Sequence, residues 1–481
     1  MENLEYYWAE KAFLDFGIVP NLFYLIPASN NQERYNILSQ GVENGLVMAS
    51  RNGILPLIFF FLQKGAKNYD KAATAAAKAG RLDIVKFMVE LGAKNFDRIM
   101  AVAALNGYLD IVRYMVELGA SYFDWSMAAA AKGNHMDIVK YMIQLGAKDF
   151  NRAMESAAEG GNNALVKFFK QLGAKDIKFA MAAAAKNGHM DTVKLMIELG
   201  ARGFDLAMAA AANGGYMDIV KYMIQLGANN FDQAMESAAD SGHIDIVKLM
   251  VELGATDFNR AMMYAAIGGH MNIVKLMVEL GANNFDETMN YAARDGYPDI
   301  VKLMVELGAT DFDGAMLNAA IEGHIEIIKM MVQLGATNFD SAMLYAAEYG
   351  YPDIVKLMAD LGATDLNEAM LFATGDGHLD IIKLLVQLGA NNFNEVMEIA
   401  AINGYPDIVN FMLSLGANPK GKNSGSRKRE RDDMDLDIEE TKFPRLEPKY
   451  SLPKRKREEE DDELEEIDSL NNKYRRFEDE L

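Results

Sequence analysis

The chain has no cysteine among its 481 residues. A disulfide framework, a cysteine-based zinc site and a thiol nucleophile are therefore excluded, and the absence fits a reducing compartment. Long apolar runs are missing too. The longest, "ILPLIFFFL" from Ile54 to Leu62, is about half the length a bilayer span requires. The opening stretch "MENLEYYWAEKAFLDF" places Glu2, Glu5, Glu10 and Lys11 where a secretory leader needs an apolar core. Positive charge is in deficit, with a net charge of −21, which disfavours the surface as a whole as a partner for nucleic-acid phosphates. There is no glycine-rich phosphate loop after a strand, no G-x-S-x-G and no H-E-x-x-H. These absences predict a soluble intracellular chain that is not an enzyme, needs no cofactor or metal, and has no membrane partner.

What is present is a repeat. Gly92, Gly119, Gly146 and their successors to Gly416 recur at one fixed interval, each in an L-G-A triplet, without one insertion or deletion. Gly65 in "QKGA" extends the series to fourteen. The consensus is G-A-x-x-F-D-x-A-M-x-x-A-A-x-x-G-H/Y-x-D-I-V-K-L-M-V-E-L. Such regularity signals a stacked solenoid, in which each unit buries its apolar face against its neighbours. "GYPDIV" at Tyr297, Tyr351 and Tyr405 alternates with Gly-His at His270, His324 and His378, so the C-terminal half also carries a period of two repeats.

Each unit encodes two helices. In the unit after Gly254, Asn259 is a candidate N-cap for "RAMMYAAI", and Asn272 for "IVKLMVEL", whose Ile273, Val274, Met277 and Leu280 share one face. Gly281 ends the second helix, because glycine takes the left-handed position after a helix at least cost. "AAxxGHxxIVKxMxxxGA" resembles the ankyrin repeat over roughly residues 43–418. Two departures stand out: the period is about 27 residues against an ankyrin norm of about 33, and F-D-x-A-M replaces the Thr-Pro-Leu-His opening. The expected fold is therefore all-α: an ankyrin-like solenoid of about fourteen two-helix repeats, without the β-hairpin finger. The short period is similar to that of ankyrin repeat proteins of large DNA viruses of amoebae.

The ladders running through the repeat read as framework. The six histidines, His135, His189, His243, His270, His324 and His378, share one phase at the turn between helices. Most stand two repeats apart, about 20 Å in a stack, too far to share an ion, and the resemblance makes them turn residues bonding neighbouring backbone. Two methionine ladders, Met100 to Met397 and Met88 to Met412, fall on packing faces and read as core. A lysine ladder on the second helix, such as Lys275, is followed one turn later by acids or glutamine, such as Glu279, and reads as a solvated face.

The repeats disagree with one another at the phases of Arg260, Met263 and Ile267, which share one side of the first helix. In ankyrin-like proteins the first helix and following turn line the partner-gripping surface. Aromatic and arginine anchors are the usual hot spots, which singles out Arg98, Trp125 and Arg152 for binding a protein partner.

The ends depart from the repeat. Residues 1–42 are aromatic-rich and predict an atypical helical cap; a docking element that recruits a ubiquitin ligase is the alternative. Residues 419–481 predict a disordered charged tail interrupted by Pro444, Pro448 and Pro453. Its clusters Arg427, Lys428, Arg429, Arg431 and Lys454, Arg455, Lys456, Arg457 read as nuclear-localisation signals for an import receptor. Nucleic-acid association through these clusters is the rival. The sequence thus predicts a monomeric protein-binding scaffold, in the nucleus or otherwise the cytoplasm, of a host cell if the chain is viral.

Overall fold

Two kinds of position recur in every unit, apolar residues that must be buried and polar residues that must close the loops, and they set the architecture. The computed structural model describes residues 2–418, with side chains from residue 7 onward. Among these residues the regular elements are helices, with no strand, and the helices from Val42 to Ser414 form fourteen pairs. No helix among them is long and apolar enough to cross a membrane.

In the unit that contains Arg260, the first helix runs Phe258–Ile267 and the second Met271–Glu279. The first helix starts earlier than the sequence predicts. Asp257, not Asn259, is the N-cap, and its side chain accepts the Arg260 amide at 3.1 Å. Asn259 is already helical and reaches forward instead, its Oδ1 accepting the amides of Asn283 at 2.7 Å and Asn284 at 3.1 Å in the next repeat. The same inter-repeat staple recurs. Asp97 takes Ser121 and Tyr122, Asp232 takes Thr256 and Asp257, and Asp313 takes Thr337 and Asn338. It satisfies loop donors that a shortened connection leaves without backbone partners.

The second helix is not capped by Asn272 either. Its N-cap residue is His270, and Asn272 lies inside the first turn, where its Oδ1 reaches only the adjacent Ile273 amide at 3.1 Å. The aspartates found here in other repeats, such as Asp245 and Asp299, sit in the first helical turn and complement the positive end of the helix dipole. The helix stop follows expectation. Gly281 has φ +103°. Its N–H donates to the Val278 carbonyl and that of Ala282 to the Met277 carbonyl, both at 3.0 Å, the Schellman arrangement that satisfies end-of-helix carbonyls.

Packing is carried by the ladders. Met262 and Met277 are fully buried, as are Ala261, Ala265 and Ala266, whose small side chains let neighbouring helices close up. Each such methionine contributes about 1.5–3 kcal/mol of burial. The turns interlock as well. His270 Nε2 donates to the Asp240 carbonyl of the preceding repeat at 3.0 Å, and His135, His189, His243 and His378 make the equivalent bond at 2.9–3.1 Å. Gly269, at φ +74°, leaves room for the ring of Tyr297 one repeat on; a Cβ there would lie 2.3 Å from Tyr297 Cε1.

The described residues divide into two compact units, 2–76 and 77–418. The first begins with helices Glu2–Phe16, Pro20–Phe23 and Asn31–Ser39. Tyr35 ties the third of these to the first: its ring centroid lies 5.2 Å from that of Trp8 and 5.3 Å from that of Phe16, and its hydroxyl donates to Asp15 at 2.5 Å. The first helix pair of the series follows, Val42–Asn52 with Leu55–Gln63. Glu43 performs the staple there, accepting the amides of Lys67 and Asn68 at 2.8 Å each. Residues 77–418 hold the regular repeats.

Candidate functional site

The lysine ladder is exposed, as a solvated face should be, yet its contacts differ from those the sequence predicts. Lys302 pairs with Asp299 at 3.5 Å and Lys329 with Glu326 at 2.7 Å, acids one turn before rather than after. Other members lie over rings of the next repeat: Lys86 over Tyr114 at 5.2 Å, Arg113 over Tyr141 at 5.5 Å, Lys383 over Phe411 at 5.7 Å. A within-helix reading looks only one turn along the same helix and misses partners that stacking brings in from the next repeat.

The variable strip on the first helix is narrower than the sequence implies. At the Met263 phase, Ala128, Ala182 and Ala209 are buried, Met263 is 7% exposed and Glu236 8% exposed. In these repeats this phase faces the neighbouring repeat, and the open surface passes instead through the phases of residues 260, 264 and 267; in later repeats Leu344 and Leu371 at the same phase are half-buried and Glu398 is exposed. Glu236 is held in its near-buried place by Arg260 of the next repeat at 3.1 Å.

Arg98, Trp125 and Arg152 all stand on this strip, one repeat apart and half-buried. Two of them are in direct contact. The Arg152 guanidinium lies over the Trp125 ring at 4.4 Å from its centroid, within cation–π range. Arg152 is also anchored through its amide by Asp149 at 3.1 Å. Arg98 is placed in the same way, its amide donating to Asn95 at 3.3 Å. Phe179 continues the series, half-buried, with Lys178 Nζ 4.8 Å from its centroid.

Charged residues at the variable phases of the repeat complete the patch. Lys132 pairs with Glu159 across adjacent repeats at 2.9 Å. Glu155, one turn after Arg152, has its carboxyl pushed up to about 7, chiefly by burial and then by the charge of Glu159, with Arg152 opposing. The only advance sign of Glu155 is that most neighbouring repeats carry alanine at its phase. The patch presents donors, a large ring and a carboxyl that titrates near neutrality, but no nucleophile beside a base. Among the described residues no group of three or more histidines or acids could hold a metal ion. The basic clusters Arg427–Arg431 and Lys454–Arg457 lie outside the described residues.

The family model described as "Ankyrin repeats (3 copies)" matches residues 46–124, 153–234, 180–261, 235–314, 289–368 and 345–423. Among solved structures, the chain is similar to the crystal structure of the human ASB11 ankyrin repeat domain, with 18% identity and a TM-score of 0.32 over 38% of this chain and 98% of that one. No curated protein matches it.

Proposed function

The chain belongs to the ankyrin repeat family, whose members are protein-binding modules, and from that premise we propose that it is a non-enzymatic scaffold gripping a protein partner on its first-helix strip, with Arg98, Trp125 and Arg152 as anchors. The observation that carries the reading is the stacking of Arg152 on Trp125 at 4.4 Å. Tryptophan and arginine dominate interface energetics when they sit in well-packed surroundings. Here each side chain braces the other, so less rotamer freedom remains to be lost on docking. The test is to identify a partner by affinity purification and mass spectrometry, then compare its affinity for the native chain with that for Trp125→Ala and Arg152→Ala. A loss of tenfold or more in each is expected. Unchanged binding in both eliminates the patch.

The reading includes nuclear entry through the tail clusters Arg427, Lys428, Arg429, Arg431 and Lys454 to Arg457, since short basic runs suit the acidic groove of an import receptor. A tagged full-length chain with these positions changed to serine is expected to lose nuclear accumulation. An unaltered distribution removes import from the proposal.

A further inference from the structure

The first-helix strip changes character along the second unit. Residues 77–282 carry 22 acidic and 21 basic residues, whereas residues 283–418 carry 20 acidic and 5 basic. After Arg294 the basic residues of the repeats are Lys302, Lys329, Lys356 and Lys383, all on second helices. From Asp295 to Asn418 the first helices and turns contain no lysine or arginine at all.

The same repeats replace small residues by large apolar ones on that face. Where earlier units have Ala182 and Ala183, or Ala209 and Ala210, later units have Leu344 and Tyr345, or Leu371 and Phe372, all four of them half-buried. Tyr349 is 49% exposed beside them. Glu322, Glu348 and Asp376 come from three successive first-helix ends. Burial raises the pKa of Glu348, and the charge of Asp376 raises it further; Tyr349 is raised by burial and by its acidic neighbours, Glu348 first. Like charges thus stand around an aromatic floor with no lysine or arginine on that face to relieve them.

A surface of this kind selects its occupant by sign. Phosphates and anionic lipid are repelled, and a purely apolar segment would leave the carboxylates desolvated and unpaired. Lysine and arginine fit both features, because their stems lie along rings while their heads pair with carboxylates. Successive repeats stand about 9–10 Å apart in a helical stack, and three residues of extended polyproline-type chain span about 9.3 Å. We propose that the first-helix face between Glu322 and Asp376 docks an extended, lysine- and arginine-rich segment of a partner protein, with cations recurring about every third residue. This shares with the proposed function the premise that first helices form the binding face, but uses none of the residues around Trp125.

The probe is a fluorescent peptide of Arg-Ser-Ser repeated, titrated against the full-length chain by anisotropy, beside an Arg-Ser repeat and a Glu-Ser-Ser repeat. The Arg-Ser-Ser peptide is expected to bind most tightly and the acidic one not to bind. The triple variant Glu322→Gln, Glu348→Gln, Asp376→Asn, with native circular dichroism, is expected to weaken binding at least tenfold, and Tyr349→Ala about threefold. Trp125→Ala is expected to leave it unchanged, which separates this assay from the fate of the Trp125 patch. An equal loss in the second-helix control Glu306→Gln, Asp353→Asn, Asp360→Asn reduces the effect to bulk charge and overturns the assignment. Unchanged binding in the first triple variant overturns it as well. If changing the basic clusters of the tail to serine tightens peptide binding tenfold or more, the chain's own tail is the occupant and the partner assignment falls.

Discussion

Removing the Asp232 side chain tests whether the staple between repeats, rather than apolar packing alone, fixes the loops. Asp232 Oδ1 accepts the amides of Thr256 at 2.6 Å and Asp257 at 2.8 Å. A hydrogen bond to a charged group contributes about 1.5–3 kcal/mol when shielded, and this loop is partly open to water, so about 1 kcal/mol for each bond is a fair allowance. Asp232→Ala should therefore cost about 2 kcal/mol locally, which is roughly a 30-fold acceleration of exchange at these two amides. Asp232→Asn should cost about half as much, since a neutral acceptor keeps both bonds but not the charge assistance. Asparagine holds this place naturally at Asn151 and Asn259. Residue-resolved hydrogen exchange on the full chain is the suitable assay, because an array of repeats need not unfold in one step. Protection at Thr256 and Asp257 within twofold of native in the alanine variant would refute the reasoning. So would an asparagine variant as damaged as the alanine one.

Met277 is fully buried, so Met277→Ala should lower stability by about 2–5 kcal/mol, whereas Met277→Leu, which nearly conserves volume, should cost less than about 1.5 kcal/mol; equal urea midpoints for the two variants would contradict a packed ladder. Glu155 should make stability depend on pH. Its folded carboxyl titrates at about 7 against an ordinary value of 4.5, so between those values the folded chain binds more protons than the unfolded one, and stability falls as pH rises through the window. Glu155→Gln should remove that slope and stabilise the protein at pH 8 by about 1–3 kcal/mol, the lower end being favoured because the residue is only half-buried; denaturation at pH 5 and pH 8 with the same slope in both proteins would contradict it.

Most of the framework was legible because fourteen units state it repeatedly. A residue that recurs at one phase beside glycine and alanine, as Met262, Met277 and Gly281 do, has few roles open to it. The capping residues were less legible for a physical reason. Asp257 and Asn259 are both good N-caps, and sequence alone does not say whether Phe258 lies inside or outside the helix; two residues of register decide which side chain caps the helix and which reaches the next repeat. The same ambiguity affected the strip. Residues 263 and 264 differ by about 100° around a helix, and an alanine at either phase is silent about exposure, so only Glu236 and Met263, buried against the adjoining repeat, show which way the face opens. Trp125 and Arg152 share a phase in successive repeats, and stacking makes them neighbours. That the guanidinium lies on the ring follows only from the side-chain geometry.

The charge difference between the two halves of the long unit has the same logic. The second-helix cations persist on both sides of the change as far as Lys383, as Lys275 and Lys302 illustrate. Away from the second helices, residues 77–282 hold twelve basic residues and residues 283–418 hold one, Arg294. The change is therefore confined to the first helices and the loops, away from the second-helix ladder. Nor does it serve stability: a run of uncompensated acids adds self-repulsion to the folded state, and the charge of Asp376, after burial, disfavours the ionised form of Glu348. A surface that costs stability and is not required by the fold is where an external contact is to be sought. On that argument the cationic and aromatic early strip and the acidic and aromatic late strip are two docking faces of opposite sign on one framework. Raising salt should weaken contacts at the late strip more than at the early one, where the carboxylates already have cationic neighbours.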